Sequence, residues 1–526
     1  MIEATHQVDR SQWADLFSER TIGSYVADAA ARCADVTAIV DAGERISYGD
    51  LFDRVTRVVG GLRRLGVEPG DVALLQLPNW WEASVVIHAV ARAGAVVNPV
   101  IPIYREHELS FIVDQARPRA LVVPHWFRGH DHVAMIRDVL ADIDVPPVVV
   151  VVRPQGPLPD GFVPFDDLLA AEPDVEDRGS AERIALLLYT SGTTADPKGV
   201  LHDHRNLDYE NRSIIELFGL DETSTVLGMS PVTHVSGFLY AVLLPAMLGA
   251  KAVLLDTWDP VACRQLVDAE SCRFTIGATP FLQGLVDDYV TDPGECPIAA
   301  FACGGADVPP DLVRQARRVL DAAVVRIYGS SEFSTVTCGR PDDDERIAAE
   351  TDGRPIGPIE CRIDHPDGHG VGELLARGPE VFGGYLDPSL NDAAFTDDGW
   401  FRTGDLASMD ADGAVTIRGR LKDIIIRGGE NISAKEVEDL LYGHPAVKEV
   451  AVVAMADPVM TERACAFVVP MAGESPTLAD LTAYLETRHI ARQKYPERLE
   501  LVDELPKTAS GKIQKFVLRE WVRGAP

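Results

Sequence analysis

One loop of the sequence concentrates the groups that bind a polyphosphate. It runs from Tyr189 to Gly199, reads Tyr-Thr-Ser-Gly-Thr-Thr-Ala-Asp-Pro-Lys-Gly, and follows an apolar stretch. Hydroxyl and backbone N–H donors around a lysine are the groups that phosphate oxygens need. The loop is not a P-loop, because it lacks the Gly-Lys-Ser/Thr ending of that motif. We therefore favour phosphate binding over the alternative, a flexible polar loop.

Small and polar residues follow three apolar stretches that are typical of strands. Ile184–Tyr189 runs into the loop just described, Ala299–Cys303 runs into a Gly-Gly pair, and Val324–Tyr328 runs into Gly-Ser-Ser-Glu. In open α/β sheets, ligands bind at the carboxyl ends of strands, where small residues let a ligand approach the backbone. An ordinary tight turn explains any one of these endings, but three of them favour a ligand site.

Several single side chains could take part in chemistry, and each has a structural alternative. Glu332 is one acid among small neighbours, which suits a hard cation but also a solvated loop. His234, in Pro-Val-Thr-His-Val-Ser-Gly, is by itself more typical of a structural histidine. Tyr328 by itself resembles a core aromatic, and Asp405, in Thr-Gly-Asp, belongs to a turn. Lys512 lies in a basic tail, where a lysine is normally a solvated charge.

The elements that must position these residues alternate between helices and strands over the first two-thirds of the chain. Asp50–Gly66 has one apolar helical face, with Asp50 as the expected N-cap and Gly66 at the expected end. Short apolar runs such as Val72–Leu77 and Val148–Val152 predict buried strands. This alternation is typical of a doubly wound α/β fold.

From about Gly413 the pattern changes to a compact α+β one. Ala414–Arg418 and Ile424–Ile426 predict strands on either side of a link, and Ser433 is expected to cap a helix. We place the domain boundary at the link. Residues 1–420 then form a large α/β domain of several subdomains with doubly wound sheets, and residues 421–526 form a small, mobile α+β domain.

Five segments, in order, resemble the adenylate-forming superfamily of acyl-CoA synthetases, adenylation domains and luciferases. They are the loop at 189–199, Tyr-Gly-Ser-Ser-Glu at 328–332, Gly-Trp-Phe-Arg-Thr-Gly-Asp-Leu at 399–406, Gly-Arg-Leu-Lys-Asp-Ile-Ile-Ile-Arg-Gly-Gly-Glu-Asn-Ile at 419–432, and Pro-Lys-Thr-Ala-Ser-Gly-Lys at 506–512. Any one could arise by chance, whereas five in order are highly specific. Segments 78–82, 98–105 and 127–131 are similar to the cyclohexanecarboxylate–CoA ligase group within that superfamily.

The resemblance implies a nucleotide site that the single residues leave open. Tyr328 would stack on adenine, Asp405 would accept hydrogen bonds from both ribose hydroxyls beside Arg420, and Glu332 would bind Mg²⁺. The residues implied to bind ATP or AMP are Thr190, Ser191, Gly192, Thr193, Thr194, Lys198, Gly304, Gly305, Tyr328, Gly329, Ser330, Ser331, Asp405 and Arg420.

The resemblance also implies a reaction in two steps. A carboxylate would attack the α-phosphate of ATP to give acyl-AMP and pyrophosphate, and the thiol of CoA would then attack the acyl carbonyl and release AMP. Lys512 would act electrostatically in the first step, with Glu332 and His234 as the other catalytic residues. The small domain would rotate about Lys422 between the steps. The segment implied to line the CoA channel is Gly428, Gly429 and Glu430.

The acyl group and the thiol are less well specified. The residues expected to line the acyl pocket are His234, Phe238, Gly277, Ala278, Ser331 and Thr335. Because most of these side chains are small or apolar, we expect a neutral medium-chain, cyclic or aromatic carboxylic acid. A stand-alone acyl- or aryl-AMP ligase that loads a phosphopantetheinyl carrier protein stays open as the alternative to a CoA ligase. An amino-acid substrate is disfavoured, because no aspartate lies beside His234 to bind an ammonium group.

Composition excludes several other classes of protein. The chain has 526 residues, a net charge of −32 and 46% hydrophobic residues, as a globular protein does. The acidity argues against binding to nucleic acid and to acidic membrane surfaces. The chain after residue 420 holds 14 basic and 16 acidic residues, so the large domain carries almost all of the charge. Without an apolar leader or span, we expect a cytoplasmic monomer or homodimer.

Overall fold

Parallel strands form the centres of the two largest sheets. The computed structural model describes residues 2–6, 8–190, 197–427, 430–488, 490–508 and 511–524, with the side chains of 430, 431 and 524 left out. The first sheet has, in order across it, the strands Arg354–Pro355, Thr337–Cys338, Ala323–Tyr328, Ala300–Gly304, Phe274–Gly277, Val226–Gly228, Ala252–Leu254, Thr37–Asp41 and Glu44–Ser47. The second sheet has Lys198–Asp203, Ile184–Thr190, Val96–Pro99, Val72–Leu75, Ala120–Pro124, Val148–Val152 and Phe162–Pro164. Antiparallel pairs occur only toward the edges of these two sheets within the described residues.

Two further sheets divide the rest of the chain. The third sheet is antiparallel and contains Glu360–Asp364, Gly372–Arg377, Phe401–Met409 and Val415–Arg420. The fourth sheet contains Glu430–Ser433, Ile424–Arg427, Thr461–Pro470, Val447–Asp457 and Arg498–Leu501. The chain passes from the third sheet to the fourth through a short 3₁₀ turn, Leu421–Asp423, which contains Lys422. The fold is therefore α/β, with a large N-terminal and a small C-terminal domain, as the sequence predicts.

Helices cover the sheets and connect their strands. The α-helices are Tyr25–Cys33, Tyr48–Arg64, Trp81–Arg92, Glu106–Ala116, His132–Val139, Phe165–Leu169, His204–Phe218, Val235–Gly237, Leu244–Leu248, Pro260–Glu270, Thr279–Thr291, Pro310–Leu320, Glu345–Glu350, Asn391–Ala394, Ala434–Leu441, Leu478–Thr487 and Lys515–Gly524. Shorter elements are the 3₁₀ turns Ser11–Leu16, Pro388–Leu390 and Arg492–Lys494, the π-helical turn Phe238–Leu243, and the hairpin of Trp126–Phe127 and His130–Asp131. No helix in the described part of the chain is both long enough and apolar enough to cross a membrane.

Two predicted helix caps have different outcomes. Asp50 is wrong as an N-cap, because the helix begins at Tyr48 and the Ser47 hydroxyl accepts the Asp50 backbone N–H at 3.1 Å. Serine is a preferred N-cap because its short side chain reaches an unpaired N–H of the first turn. The Ser433 cap is confirmed, since its hydroxyl accepts the Glu436 backbone N–H at 3.3 Å.

The helix Trp81–Arg92 lies between the two large sheets and is buried along its whole length. Its two charged side chains, Glu82 and Arg92, both have polar partners, as burial requires. Glu82 forms an ion pair with Arg153 at 2.7 Å, and Arg92 donates to the Gly23 carbonyl at 3.1 Å. Because this helix contacts both sheets, it fixes their relative position and thereby the strand ends that form the site.

Candidate active site

The carboxyl ends of strands from both large sheets open into a cavity of about 690 Å³. Thr190 ends a strand of the second sheet, and Gly277 and Gly304 end neighbouring strands of the first. The predicted site residues that line this active-site cavity are Thr190, Lys198, His234, Gly277, Ala278, Gly304, Gly305, Gly329, Ser330, Ser331, Glu332, Thr335, Asp405, Arg420, Lys422 and Lys512. Residues from distant parts of the sequence and from both domains therefore meet around one space.

Some predicted site residues do not line this cavity. Phe238 is wrong as a wall residue, because its side chain is fully buried in the hydrophobic core. The π-helical turn that begins at Phe238 turns the next two residues, Leu239 and Tyr240, toward the cavity instead. The predicted residues that lie outside the described residues are Ser191, Gly192, Thr193, Thr194, Gly428 and Gly429, and the Glu430 side chain is left out.

The end of the cavity near the predicted phosphate loop brings together a cation, a carboxylate and a phenol. The Lys198 ammonium lies 5.0 Å from the centre of the Tyr385 ring, within the range of a cation–π contact. The Tyr385 hydroxyl donates to Glu332 Oε1 at 2.8 Å and so orients that carboxylate. The sequence offered no signal for Tyr385, which contributes through a contact between distant segments.

Glu332 suits a Mg²⁺ ion that also binds phosphate. The described residues contain no cluster of three or more His, Cys, Asp or Glu side chains that could hold a metal by themselves. A hard cation at Glu332 would therefore need oxygen ligands from its substrate, as Mg²⁺ with a nucleotide commonly has. The single oriented carboxylate fits that arrangement.

A second group of side chains holds Asp405 in position. The Tyr328 hydroxyl donates to Asp405 Oδ2 at 2.7 Å, and Arg420 Nε lies 3.2 Å from Asp405 Oδ1. Asp405 and Arg420 face each other in the antiparallel register of the third sheet. Burial and the charge of Asp405 raise the pKa of Tyr328, so the phenol keeps its proton for this bond. The role expected of Tyr328 from the sequence concerned its ring, and the sequence contains no signal for the hydroxyl bond.

The C-terminal domain contributes Lys512 from a tight turn. The Thr508 backbone N–H donates to the Lys512 carbonyl at 2.8 Å, and the Thr508 hydroxyl accepts the Lys512 backbone N–H at 3.1 Å. Gly511 has a φ of +84°, and a Cβ there would lie 3.0 Å from Pro280 Cγ, so the turn favours glycine. Burial and the positive charge of Arg420 lower the pKa of Lys512 to about 8.

His234 lies in the cavity wall as a neutral imidazole. Its Nδ1 accepts the Ser236 backbone N–H at 3.4 Å, so it caps the short helix Val235–Gly237. Burial and the charge of Lys512 lower the pKa of His234 to about 4. The ring is therefore uncharged near pH 7, and it adds no positive charge next to Lys512.

A second cavity, of about 770 Å³, lies between the two domains beside the first. It is lined by Tyr328, and Asp405 and Lys512 line both cavities. Across this gap Lys435 Nζ lies 3.1 Å from Asp307 Oδ1, which joins the small domain to the large one. Burial by itself would raise the pKa of Asp307, but the charge of Lys435 lowers that pKa to about 2. Lys435 and Asp307 are distant in the sequence, which contains no signal for this pair.

Two family models match the chain. The model described as AMP-binding enzyme matches residues 26–386, and the model described as AMP-binding enzyme C-terminal domain matches residues 436–512.

Individual proteins are similar over nearly the whole length. The chain is 33% identical to the medium-chain fatty-acid–CoA ligase of Escherichia coli (strain K12), covering 96% of this chain and 91% of that protein. It is 36% identical to a salicylyl-CoA synthase / salicylate adenylyltransferase of Streptomyces sp, covering 98% and 96% respectively. Its structure resembles that of ATP-bound MatB from Rhodopseudomonas palustris with a TM-score of 0.85, 27% identity, and coverage of 96% of this chain and 99% of that one.

Proposed function

The chain belongs to the family of AMP-binding enzymes, the adenylate-forming superfamily, and from this membership we propose that it is an acyl-CoA synthetase. It is an AMP-forming carboxylic acid ligase, as its relatives are. One observation supports the proposal most directly: Glu332, Asp405 and Lys512 line the same cavity. A cation site, an oriented acceptor and a buried ammonium are together what a nucleotide-activating step needs.

In the proposed first step the cavity binds ATP and orients it for attack by a carboxylate. Asp405, held by Tyr328 and Arg420, accepts hydrogen bonds from the ribose hydroxyls. Lys198 neutralises charge on the β- and γ-phosphates, and Glu332 would hold a Mg²⁺ ion, which would supply Lewis-acid stabilisation of the phosphate charge. The substrate carboxylate then forms a bond to the α-phosphorus, and pyrophosphate leaves with the electrons of the broken P–O bond.

Lys512 acts on charge rather than as a nucleophile in this step. Its ammonium lies in a cavity that Arg420 and Lys422 also line, and burial, followed by the charge of Arg420, lowers its pKa to about 8. A pentavalent phosphorus transition state concentrates negative charge, and a preorganised cation stabilises it without reorganising solvent. ATP and the acid carboxylate supply the negative charge that this cavity lacks.

In the proposed second step the thiol of CoA attacks the acyl carbonyl and AMP leaves. We propose that the small domain rotates about Lys422, in the 3₁₀ turn between the third and fourth sheets, and that residues 428–430 then line the CoA channel. A short turn between two sheets can absorb such a rotation in a few backbone dihedral angles. The Lys435–Asp307 ion pair, which joins the domains here, would break in that movement.

The acid is proposed to be a medium-chain, cyclic or aromatic one. Small residues such as Gly277 and Ala278 leave room in the cavity, and Leu239 and Phe281 give it apolar surface. The names of the relatives, a medium-chain fatty-acid ligase and a salicylate ligase, fall within these classes.

A screen of pyrophosphate release over a panel of carboxylic acids tests the proposal. With Mg²⁺ and ATP, at least one medium-chain or aromatic acid should release pyrophosphate, and AMP should follow only after a thiol is added. If none of the acids in the panel led to pyrophosphate release, the proposed activity would be refuted. If free CoA does not consume the adenylate while a phosphopantetheinylated carrier protein does, the carrier-loading alternative replaces the CoA ligase.

A further inference from the structure

A pair of buried carboxyl groups lies behind one wall of the active-site cavity. Tyr240 and Thr335 line the cavity, and behind them are Glu210 and Glu380, each only 1% exposed. The Tyr240 hydroxyl donates to Glu210 Oε1, and Thr335 Oγ1 lies 2.8 Å from the same oxygen. The two hydroxyl oxygens are 2.9 Å apart. Ser213 donates to Glu380 Oε1 at 2.9 Å.

A hydrogen bond joins the two carboxyl groups. Burial, the charge of Glu210 and a hydrogen bond to Glu210 raise the pKa of Glu380 well above its usual range. The Oε2 atoms of both residues are buried and have no hydrogen-bond donor from elsewhere in the described part of the chain. The raised pKa of Glu380 favours its protonated form, which can donate in this bond to Glu210. Glu210 Oε1 in turn accepts hydrogen bonds from the Tyr240 and Thr335 hydroxyls.

Counting hydrogens shows what this wall offers to a ligand. Three oxygen–oxygen contacts join Glu210, Tyr240 and Thr335, but only the two hydroxyl groups supply hydrogens. Both hydroxyl groups donate to Glu210 Oε1, so both hydrogens point within this triangle. The hydroxyl oxygens therefore offer lone pairs to the cavity, and the wall lacks one donor.

We infer that this wall selects carboxylic acids that carry a hydroxyl or amino group on the part of the acid that reaches Tyr240 and Thr335. The inference rests on the proposed function, since it names the class of acid that the same cavity takes. A donor group supplies the missing hydrogen, whereas an ether places lone pairs against lone pairs, and an apolar group leaves the wall unsatisfied. Glu210 is a positioning residue that acts through the direction of the Tyr240 hydroxyl.

Matched sets of acids test the inference. Each set consists of benzoic or hexanoic acid and its derivatives with a hydroxyl, amino or methoxy group at one position, and kcat/KM is measured from pyrophosphate release. For the best position, the hydroxyl or amino acid should exceed its methoxy counterpart by about 10- to 100-fold, the range expected for one buried hydrogen bond. Tyr240→Phe, which removes only the phenolic oxygen, should bring this ratio close to one. A methoxy preference in the wild type, or an unchanged ratio in Tyr240→Phe, would overturn the inference.

Two further variants separate this role from a merely structural one. In Glu210→Gln the amide can donate to Tyr240, which frees the phenol to donate into the cavity, so preference should move toward the methoxy acids. Ser213→Ala is the matched control, because it removes hydrogen bonds to Glu380 and to the Glu210 backbone carbonyl but none to Tyr240 or Thr335, and it should keep the donor preference. Loss of activity without any change of preference in Glu210→Gln would mean that the pair only supports the fold.

Binding measurements distinguish failure of this inference from failure of the proposed function. Calorimetry of the same acids with wild type and Tyr240→Phe needs no turnover. Tighter binding of donor-bearing acids without pyrophosphate release from any acid would support the selective wall and refute the proposed activity. If pyrophosphate was released and the rates and affinities were equal across each set, the proposed activity would be supported and the selective wall would be refuted.

Discussion

Replacing Lys512 with methionine should stabilise the folded protein near pH 7 while removing the adenylation activity. The pKa of Lys512 is about 8, against 10.5 for a free lysine, so the folded protein disfavours the charge. A difference of one pKa unit corresponds to about 1.4 kcal/mol, so holding the ammonium in the empty cavity costs up to about 3 kcal/mol. Partial exposure of the side chain to solvent reduces this figure, and we expect a gain of about 1–3 kcal/mol in Lys512→Met.

The pH dependence of this gain follows from the direction of the pKa change. Below pH 8 the lysine is charged in both the folded and the unfolded protein, so its full cost is present. Between pH 8 and 10.5 the folded protein loses the proton while the unfolded chain keeps it, and the cost disappears. The stability difference between Lys512→Met and wild type should therefore be largest below pH 8 and fade by about pH 10.

Urea denaturation of both proteins at several pH values measures the stability difference, and two half-reactions measure activity. Adenylation should fall by about 100-fold or more, as when a preorganised electrostatic group is removed. Thioester formation from synthetic acyl-adenylate should stay largely intact. Arg523→Met is the control, because this exposed residue lies in the C-terminal helix and should change neither property. Destabilisation of Lys512→Met near pH 7, or equal loss of both half-reactions, would refute the reasoning.

Three further predictions follow from the contacts of the site. Asp405→Asn should weaken ATP binding by about 10- to 100-fold in calorimetry, because it removes a charged hydrogen-bond acceptor. Tyr328→Phe should weaken ATP binding by less than this. Affinity for ATP equal to that of the wild type in Asp405→Asn would contradict the proposed role of Asp405. The kcat/KM of adenylation should fall as pH rises through about 8, since Lys512 loses its proton there, and a flat profile to pH 10 would argue against a charged Lys512. Lys435→Met should slow adenylation several-fold without slowing thioester formation from acyl-adenylate, because it removes the interdomain ion pair with Asp307 together with a pair to Asp439 in its own helix. An equal loss in both steps would exclude a role in domain orientation.

Local signals predicted several strands well and identified many of the residues that line the active-site cavity. The apolar run Val148–Val152 is a strand with the predicted bounds, and the predicted strand Ile184–Tyr189 extends by one residue to Thr190. Gly304 and Gly329 were expected at a ligand site because they lie at or just after strand ends, and both line the cavity. Parallel strands bring their carboxyl ends to the same edge of a sheet. Membership of the adenylate-forming superfamily is confirmed, whereas the narrower resemblance to cyclohexanecarboxylate–CoA ligases stays a prediction.

Features that depend on tertiary contacts were not predicted. Phe238 was expected in the acyl pocket, but the π-helical turn changes which residues face the cavity, and the spacing of the sequence does not show such a turn. Tyr385 meets Glu332 only because the fold joins two distant segments. Glu210 and Glu380 are ordinary acidic residues in the sequence, and only the fold shows that they are buried together and joined by a hydrogen bond.

The central claim is that a substrate carboxylate attacks the α-phosphate of ATP in the cavity shared by the two domains. Mass spectrometry after turnover with an acid labelled with ¹⁸O in its carboxylate tests this claim directly. The attacking oxygen stays on phosphorus when the thiol displaces AMP, so one ¹⁸O atom should appear in AMP and none in inorganic phosphate. Label in inorganic phosphate with formation of ADP, or unlabelled AMP during thioester formation, would contradict the account.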